Sequence, residues 1–258
     1  MVPLPLHLLD SLFLYVTHSP NDLASGTSFD MAFVKDYAVR ADGNTVIFVK
    51  YTNKASSVEY CIRRFKYWLQ NNDQKIVALD VEFTWPRGPT QMTAVVQLGV
   101  GTYVLVYHIS LADEHCGLLA AFLLDKEYTF VGVDINNDEK KLNRVGLVVR
   151  NFVDIQNLWR VPDPVTIKPK YGLADYVGSI IHHSYNKMKD AITEDDHYIC
   201  AEAPLPLKNI YYASRDAYAT YDVYRRLVNF QKGFESLCQH LAKPSRQSRK
   251  SGRKNESN

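Results

Sequence analysis

The chain has 258 residues, 46% hydrophobic and 22% charged, a balance that excludes wholesale disorder and bounds it to one well-buried domain with extensions or two small ones. Its formal net charge of +2 is unevenly spread: Lys243, Arg246, Arg249, Lys250, Arg253 and Lys254 stand against Glu256 near the C-terminus, leaving the preceding residues at net −3. Binding of a polyanion must therefore rest on a local basic patch and not on the global field.

Residues 1–28 read as a variable leader. Val2 to Val16 is apolar but carries Pro3, Pro5, His7 and Asp10, lacks a positive n-region and is too short to span a bilayer. No membrane association is expected. Tyr37–Arg40 and Thr45–Val49 read as strands around the turn Ala41-Asp42-Gly43-Asn44. Ser56 or Ser57 can cap a helix whose apolar residues Val58, Cys61, Ile62, Phe65, Trp68 and Leu69 keep helical spacing. The four cysteines include no CxxC pair, so no zinc or redox motif is indicated. Cys61 reads as a small buried hydrophobe, and a reducing compartment, nucleus and/or cytoplasm, fits.

Lys75–Phe83 reads as a central strand, followed by strands at Met92–Val100 and Tyr103–Ile109. Short connections predict an antiparallel meander. A helix near Gly117–Leu124, a strand Thr129–Ile135, a helix Asp138–Val148 and a strand Phe152–Ile155 come next, then helices near Gly172–His183 and Leu207–Phe230. Pro162, Pro164 and Pro169 mark a loop, and residues 184–206 another. A meander followed by alternating strands and helices predicts an α/β fold, a mixed sheet with helices packed on it. The domain is expected over 29–236, with 237–258 a disordered basic tail.

In the strand 75–83, Val77, Leu79, Val81 and Phe83 share one face, while Ile76, Ala78, Asp80 and Glu82 share the other. Two carboxylates at i and i+2 repel unless solvent or a cation relieves them. A strand end emerging into water would also explain them. Asp138 follows a later strand and opens a helix, where the helix dipole alone can account for an acid and Asn137 can cap. Tyr212 and Asp216, four apart, share a face of the last helix, with Ala213, Ala217, Tyr224 and Val228 on a neighbouring stripe.

Taken together, Asp-x-Glu on a strand, Asp after a later strand and Tyr-x-x-x-Asp on the last long helix resemble the DEDDy group of 3′–5′ exonucleases, of the ribonuclease H-like superfamily. The stretches IVALDVEFTW, AVVQLGVG, FVGVDINNDEKKL and YYASRDAYATYDVYRRL are similar to the family's motif regions, in order, across roughly residues 30–235. The closest resemblance is to the Werner syndrome-type exonuclease domain in its small plant form. It implies a two-ion Mg²⁺ or Mn²⁺ site, with Asp80, Glu82 and Asp216 holding one ion, Asp80 bridging to a second and Asp138 assisting through water. Such ions lie about 3.5–4 Å apart and clamp the attacking and leaving oxygens. Tyr212 would orient the attacking water, and the 3′-terminal phosphodiester of DNA and/or RNA would be hydrolysed to nucleoside 5′-monophosphates.

Lys140, Lys141, Arg144 and Arg215 are candidate phosphate contacts, and Trp85 a candidate stacking partner for the terminal base; a solvated face or a packing role explains each as well. Two features depart from the family pattern. Asp134 stands where glycine or another small residue is usual, and 184–206 lacks the tryptophan often seen before the Pro-Leu pair, here Pro204-Leu205. The competing reading is a nuclease-fold module that binds nucleic acid or protein without turnover; an RNA-trimming enzyme of the ribonuclease D type shares the same motifs. A homo-oligomer or protein partner would be needed for processivity.

Overall fold

A computed structural model describes residues 32–41, 45–84, 91–159, 170–181 and 199–242. In chain order these form β1 (Val34–Arg40), β2 (Val46–Thr52), α1 (Ala55–Leu69), β3 (Lys75–Phe83), β4 (Thr93–Val100), β5 (Tyr103–Tyr107), α2 (Gly117–Leu124), β6 (Tyr128–Gly132), α3 (Ile135–Arg144), β7 (Phe152–Asp154), α4 (Leu173–Ile180) and α5 (Leu207–Ala242). One sheet runs β1-β2-β5-β4-β3-β6-β7. The expected meander is present as β3, β4 and β5, antiparallel throughout. Strands β6 and β7 extend it in parallel beyond β3. The hairpin β1–β2 joins the other edge, with β2 parallel to β5. The mixed α/β sheet flanked by helices is therefore the observed architecture.

The alternation of β3 decides the layering. Val77, Leu79 and Val81 pack with Val58, Ile62, Phe65 and Leu69 of α1 and with Leu119, Phe122 and Leu123 of α2. Ile76 and Ala78 face the other way, toward Tyr221 and Tyr224 of α5. On that second face Val49, Tyr51, Val95, Val104 and Val106 meet Ile210, Ala213 and Ala217 of α5. A Cβ on Gly99 would lie 3.2 Å from the Ala217 carbonyl oxygen, so glycine in β4 and alanine in α5 together set how closely this helix approaches the sheet. Helix α4 packs outside α5 through Leu173, Tyr176 and Val177 against Ala219, Val223 and Leu227. Among the described residues no helix is long and apolar enough to cross a membrane.

Three local expectations are corrected. Neither Ser56 nor Ser57 caps α1: its N-cap is Lys54, and the Ala55 amide donates instead to Asp113 Oδ1 at 2.8 Å, a partner 58 residues on. Strand β6 stops at Gly132 and α3 begins at Ile135, so Asn137 lies inside the helix and Asp134 holds the N-cap position without a side-chain cap bond. Helix α5 continues to Ala242, past the expected end at Phe230. Of the apolar stripe expected there, Ala213 and Ala217 are buried, whereas Tyr224 and Val228 are half-buried and Val223 fills the core position. Cys61 is buried as expected, and burial raises its thiol to about 11. The leader, the turn 42–44, the loop 160–169, most of 184–206 and the tail beyond 242 lie outside the described residues.

The segment entering α5 is tied to the sheet by a buried network. The Leu205 amide donates to Tyr51 Oη at 2.9 Å, and Tyr51 Oη lies 2.9 Å from His108 Nδ1. Burial holds the His108 imidazole down to about 4, hence neutral near pH 7. With Nδ1 as acceptor, one phenol both accepts from Leu205 and donates to His108.

At Gly132, the last residue of β6, the start of α3 and the backbone of β3 both crowd in. A Cβ there would lie 2.9 Å from Ile135 Cβ and 3.0 Å from the Leu79 carbonyl oxygen. Gly132→Ala is expected to destabilise by about 1–3 kcal/mol and lower the thermal midpoint by roughly 3–10 °C. A midpoint unchanged from wild type in a calorimetric scan would contradict this packing.

Candidate active site

The face of β3 that turns from apolar to acidic is the face covered by α5. Asp80 and Glu82 emerge there half-buried, opposite Gln97 and Val95 of β4. Helix α5 supplies Tyr212 and Asp216 one turn apart, and Asp216 is buried. The close approach set by Gly99 and Ala217 holds the adjacent Asp216 against the sheet. The third contribution is Asp138 in the first turn of α3, also buried.

The entry to α3 explains how Asp138 is placed. Asp134 adopts a left-handed conformation (φ 61°), where glycine fits without cost and aspartate is among the tolerated exceptions. That accounts for the small residue expected at this position. The Asp134 side chain turns outward to Lys170 Nζ at 2.8 Å. Asp154, buried at the end of β7, gathers the rest: Oδ1 accepts from the amides of Gln156 at 2.9 Å and Asp134 at 3.3 Å, and Oδ2 from Asn136 Nδ2 at 3.3 Å. Asp154 was not singled out in the sequence; an acid closing a short strand before a helical turn is its only local signal.

The acids act on one another's ionisation. Burial first, then the charges of Asp80, Asp134, Glu82 and Asp154, push the Asp138 carboxyl up to about 9. Burial also raises the Tyr212 phenol, helped by the charges of Asp216, Glu82 and Asp80 and by its hydrogen bond to Asp216. Tyr212 is therefore a neutral donor to Asp216 and a poor base. The donor set is all carboxylate oxygen, the chemistry that suits a hard divalent cation, and a cation would relieve the repulsion that disfavours ionised Asp138. As they stand, no three His, Cys, Asp or Glu side chains among the described residues are gathered into a group that could hold an ion. The donors fit such an ion in type and charge.

The expected nucleic-acid contacts divide. Lys140 and Arg144 are exposed on α3. Lys141 is half-buried, donates to Gln91 Oε1 at 2.8 Å and lies over the Phe83 ring at 5.4 Å. Arg215 donates from Nε to the Arg40 carbonyl at 3.0 Å, tying α5 to the end of β1. Trp85 lies outside the described residues. A small recess beside the acids, lined by Glu82, Val95, Cys200, Leu205, Asn209 and Tyr212, was not foreseen.

Residues 59–232 match the model of a family described as 3′–5′ exonuclease. No curated protein matches the chain in sequence. The fold is similar to that of the Nibbler EXO domain of Aedes aegypti, at 15% identity and TM-score 0.57, covering 80% of this chain and 99% of that one. It is also similar to Escherichia coli RNase D, an exoribonuclease involved in structured RNA processing, at 16% identity and TM-score 0.55, covering 74% of this chain and 48% of that one. The chain thus spans about half the length of RNase D. A looser likeness, at 17% identity and TM-score 0.37, is the EXD2 exonuclease domain soaked in Mn and Mg, covering 78% of this chain and 99% of that one. At these identities the likeness is one of fold, the ribonuclease H-like mixed sheet.

The Asp138 carboxyl is raised from its ordinary 3.8 to about 9, so its contribution favours the folded state below pH 4 and is lost as pH rises toward 9. Asp138→Asn stays neutral throughout. In EDTA, its thermal midpoint is expected to exceed that of wild type by several degrees at pH 8–9, with the gap closing toward pH 4. Parallel melting curves across that range would expose a wrong sign. Asp134→Gly exchanges left-handed strain for a lost exposed ion pair and is expected to stay within about 1 kcal/mol of wild type.

Proposed function

The chain belongs to the 3′–5′ exonuclease family, and from that premise we propose that it is a metal-dependent enzyme that hydrolyses the 3′-terminal phosphodiester of DNA or RNA and releases nucleoside 5′-monophosphates. The observation that carries the proposal is the convergence of Asp80 and Glu82, Asp138, and Tyr212 with Asp216 from three separate elements. Asp80 and Glu82 act electrostatically on both Asp138 and Tyr212, and Tyr212 is hydrogen-bonded to Asp216, which supports a shared role. Within the family, the motif order favours the DEDDy group and, more narrowly, a Werner-like domain.

In this reading Asp80, Glu82 and Asp216 would hold one Mg²⁺ or Mn²⁺, with Asp80 and Asp138 serving a second. When bound, two such ions would acidify the attacking water and offset charge on the leaving oxygen. The protein's own groups set the geometry. Tyr212 donates its proton to Asp216, which leaves the phenolic oxygen as an acceptor for one hydrogen of the attacking water, aiming a lone pair at phosphorus. The water oxygen bonds to phosphorus and releases a proton to solvent, the bond from phosphorus to the 3′ oxygen of the preceding nucleotide breaks, and that oxygen takes a proton from solvent and leaves as a hydroxyl. Lys140 and Arg144, both exposed, are the candidates for phosphate contact. For Arg215 a positioning role is better supported, because its Nε–H is used on β1.

A second reading, a module that binds nucleic acid or protein without turnover, rests on Asp134 standing where the family usually has a small residue. One assay separates the two. A time course on 5′-labelled single-stranded DNA, recessed duplex and RNA is expected to give a one-nucleotide ladder with Mg²⁺ or Mn²⁺ and none with EDTA. The Asp80→Ala/Glu82→Ala double variant should give no ladder, and Tyr212→Phe should lower kcat about 100-fold. Folded wild-type protein that yields no ladder on any substrate would favour the binding module.

A further inference from the structure

Gln97 sits in the middle of β4 with 0% exposure, and neither its Nε2 nor its Oε1 has a hydrogen-bond partner. Buried amides are ordinarily paired, and one bare at both atoms is costly enough to need a reason. Its place in the sheet supplies one. Gln97 stands directly opposite Asp80 in the antiparallel register of β3 and β4. Its neighbours two positions away fix its face: Val95 packs with Ala213 and Ala217, and a Cβ on Gly99 would meet the Ala217 carbonyl. The amide is therefore enclosed between sheet and α5, on the same side as Asp80. Directly opposed residues of an antiparallel pair have Cβ atoms about 4.5–5.5 Å apart, within reach of a glutamine amide to a carboxylate. Full enclosure denies the amide to bulk solvent and to substrate, and leaves the Asp80 carboxylate as a partner with functional consequence.

We propose that Gln97 is a positioning residue for Asp80: its amide N–H holds one carboxylate oxygen from the sheet side and leaves the other directed at the cation. The inference rests on the metal-dependent reading of the site. Without a cation, Asp80 shares its surroundings with Asp138, Glu82 and Tyr212. A cation draws the Asp80 carboxylate to the orientation that the amide completes, and the bond from Gln97 then locks it. The bare amide is thus a cost confined to the cation-free state.

The test is Mn²⁺ binding, titrated by electron paramagnetic resonance into wild type and Gln97→Leu, with melting curves in EDTA and in Mn²⁺. Leucine nearly preserves volume and removes both bare polar atoms, so the EDTA midpoint is expected to equal or exceed that of wild type. Mn²⁺ affinity is expected to fall about 10-fold or more, as for other groups that orient a metal ligand, and the Mn²⁺-induced rise in midpoint should shrink with it. Wild-type Mn²⁺ affinity in the variant would overturn the proposal. So would a lowered EDTA midpoint with affinity retained, since the amide would then serve the fold alone. Gln97→Met, apolar and unbranched, is carried alongside, and failure of both variants to fold would overturn the proposal in the same way. Wild-type protein that binds no Mn²⁺ would overturn the metal reading and this proposal together, and the wild-type arm alone reports that case.

Discussion

Burying the Asp138 carboxyl beside Asp80 and Glu82 is the constraint around which the rest of this molecule is arranged. A carboxylate removed from water and set among others of its sign is strongly disfavoured, and here the outcome is a group held protonated up to about pH 9. Nothing in the fold itself gains from that arrangement. A neutral or apolar side chain would pack as well at the first turn of α3, and the helix dipole could be satisfied by an acid in open solvent. The cost makes sense if another species of opposite charge completes the site, which is why the charge pattern weighs more than any single motif residue.

Holding repelling groups together requires stiff supports, and each acid has one. Asp80 and Glu82 are fixed by β3, which is paired to β4 at both acids and to β6 just before them, over Lys75 to Ala78. Asp216 is fixed by the close seat of α5, made by Gly99 beneath Ala217. Asp138 depends on a short, strained entry: Gly132 without a side chain, Asp134 left-handed, and Asp154 bonded to three groups around it. The Tyr51–His108–Leu205 network secures the segment leading into α5. These supports come from strand ends and helix starts distant in sequence, so a change in any of them acts on the acids without touching them.

The parts of this arrangement that were legible in the sequence are those with local periodicity. Alternation along Lys75–Phe83 separated the core face from the acidic face, and the four-residue spacing of Tyr212 and Asp216 put them on one face of a helix. What was not legible depends on non-local pairing. The parallel placement of β2 beside β5 leaves no trace in either strand alone. The cap of α1 comes from Asp113, which no nearby pattern announces. The start of α3 was placed too late because a left-handed aspartate at Asp134 looks like the tail of a strand until its backbone is seen. Arg215 looked like a phosphate contact because it adjoins Asp216, but neighbours in a helix point 100° apart, and its Nε–H goes to the Arg40 carbonyl.

Sequences that fold well agree with themselves at every level, and departures from that agreement tend to collect where function is exacted. The departures here lie together. A protonated buried acid, a left-handed aspartate, a phenol raised by three carboxylates and an amide enclosed without a partner all occur around one end of β3 and the elements that meet it. Val77, Leu79 and Val81, by contrast, meet α1 and α2 in an ordinary apolar layer. It follows that substitutions which relieve charge or polarity on the α5 face should stabilise the cation-free protein while damaging the site, whereas substitutions in the α1 face should only destabilise.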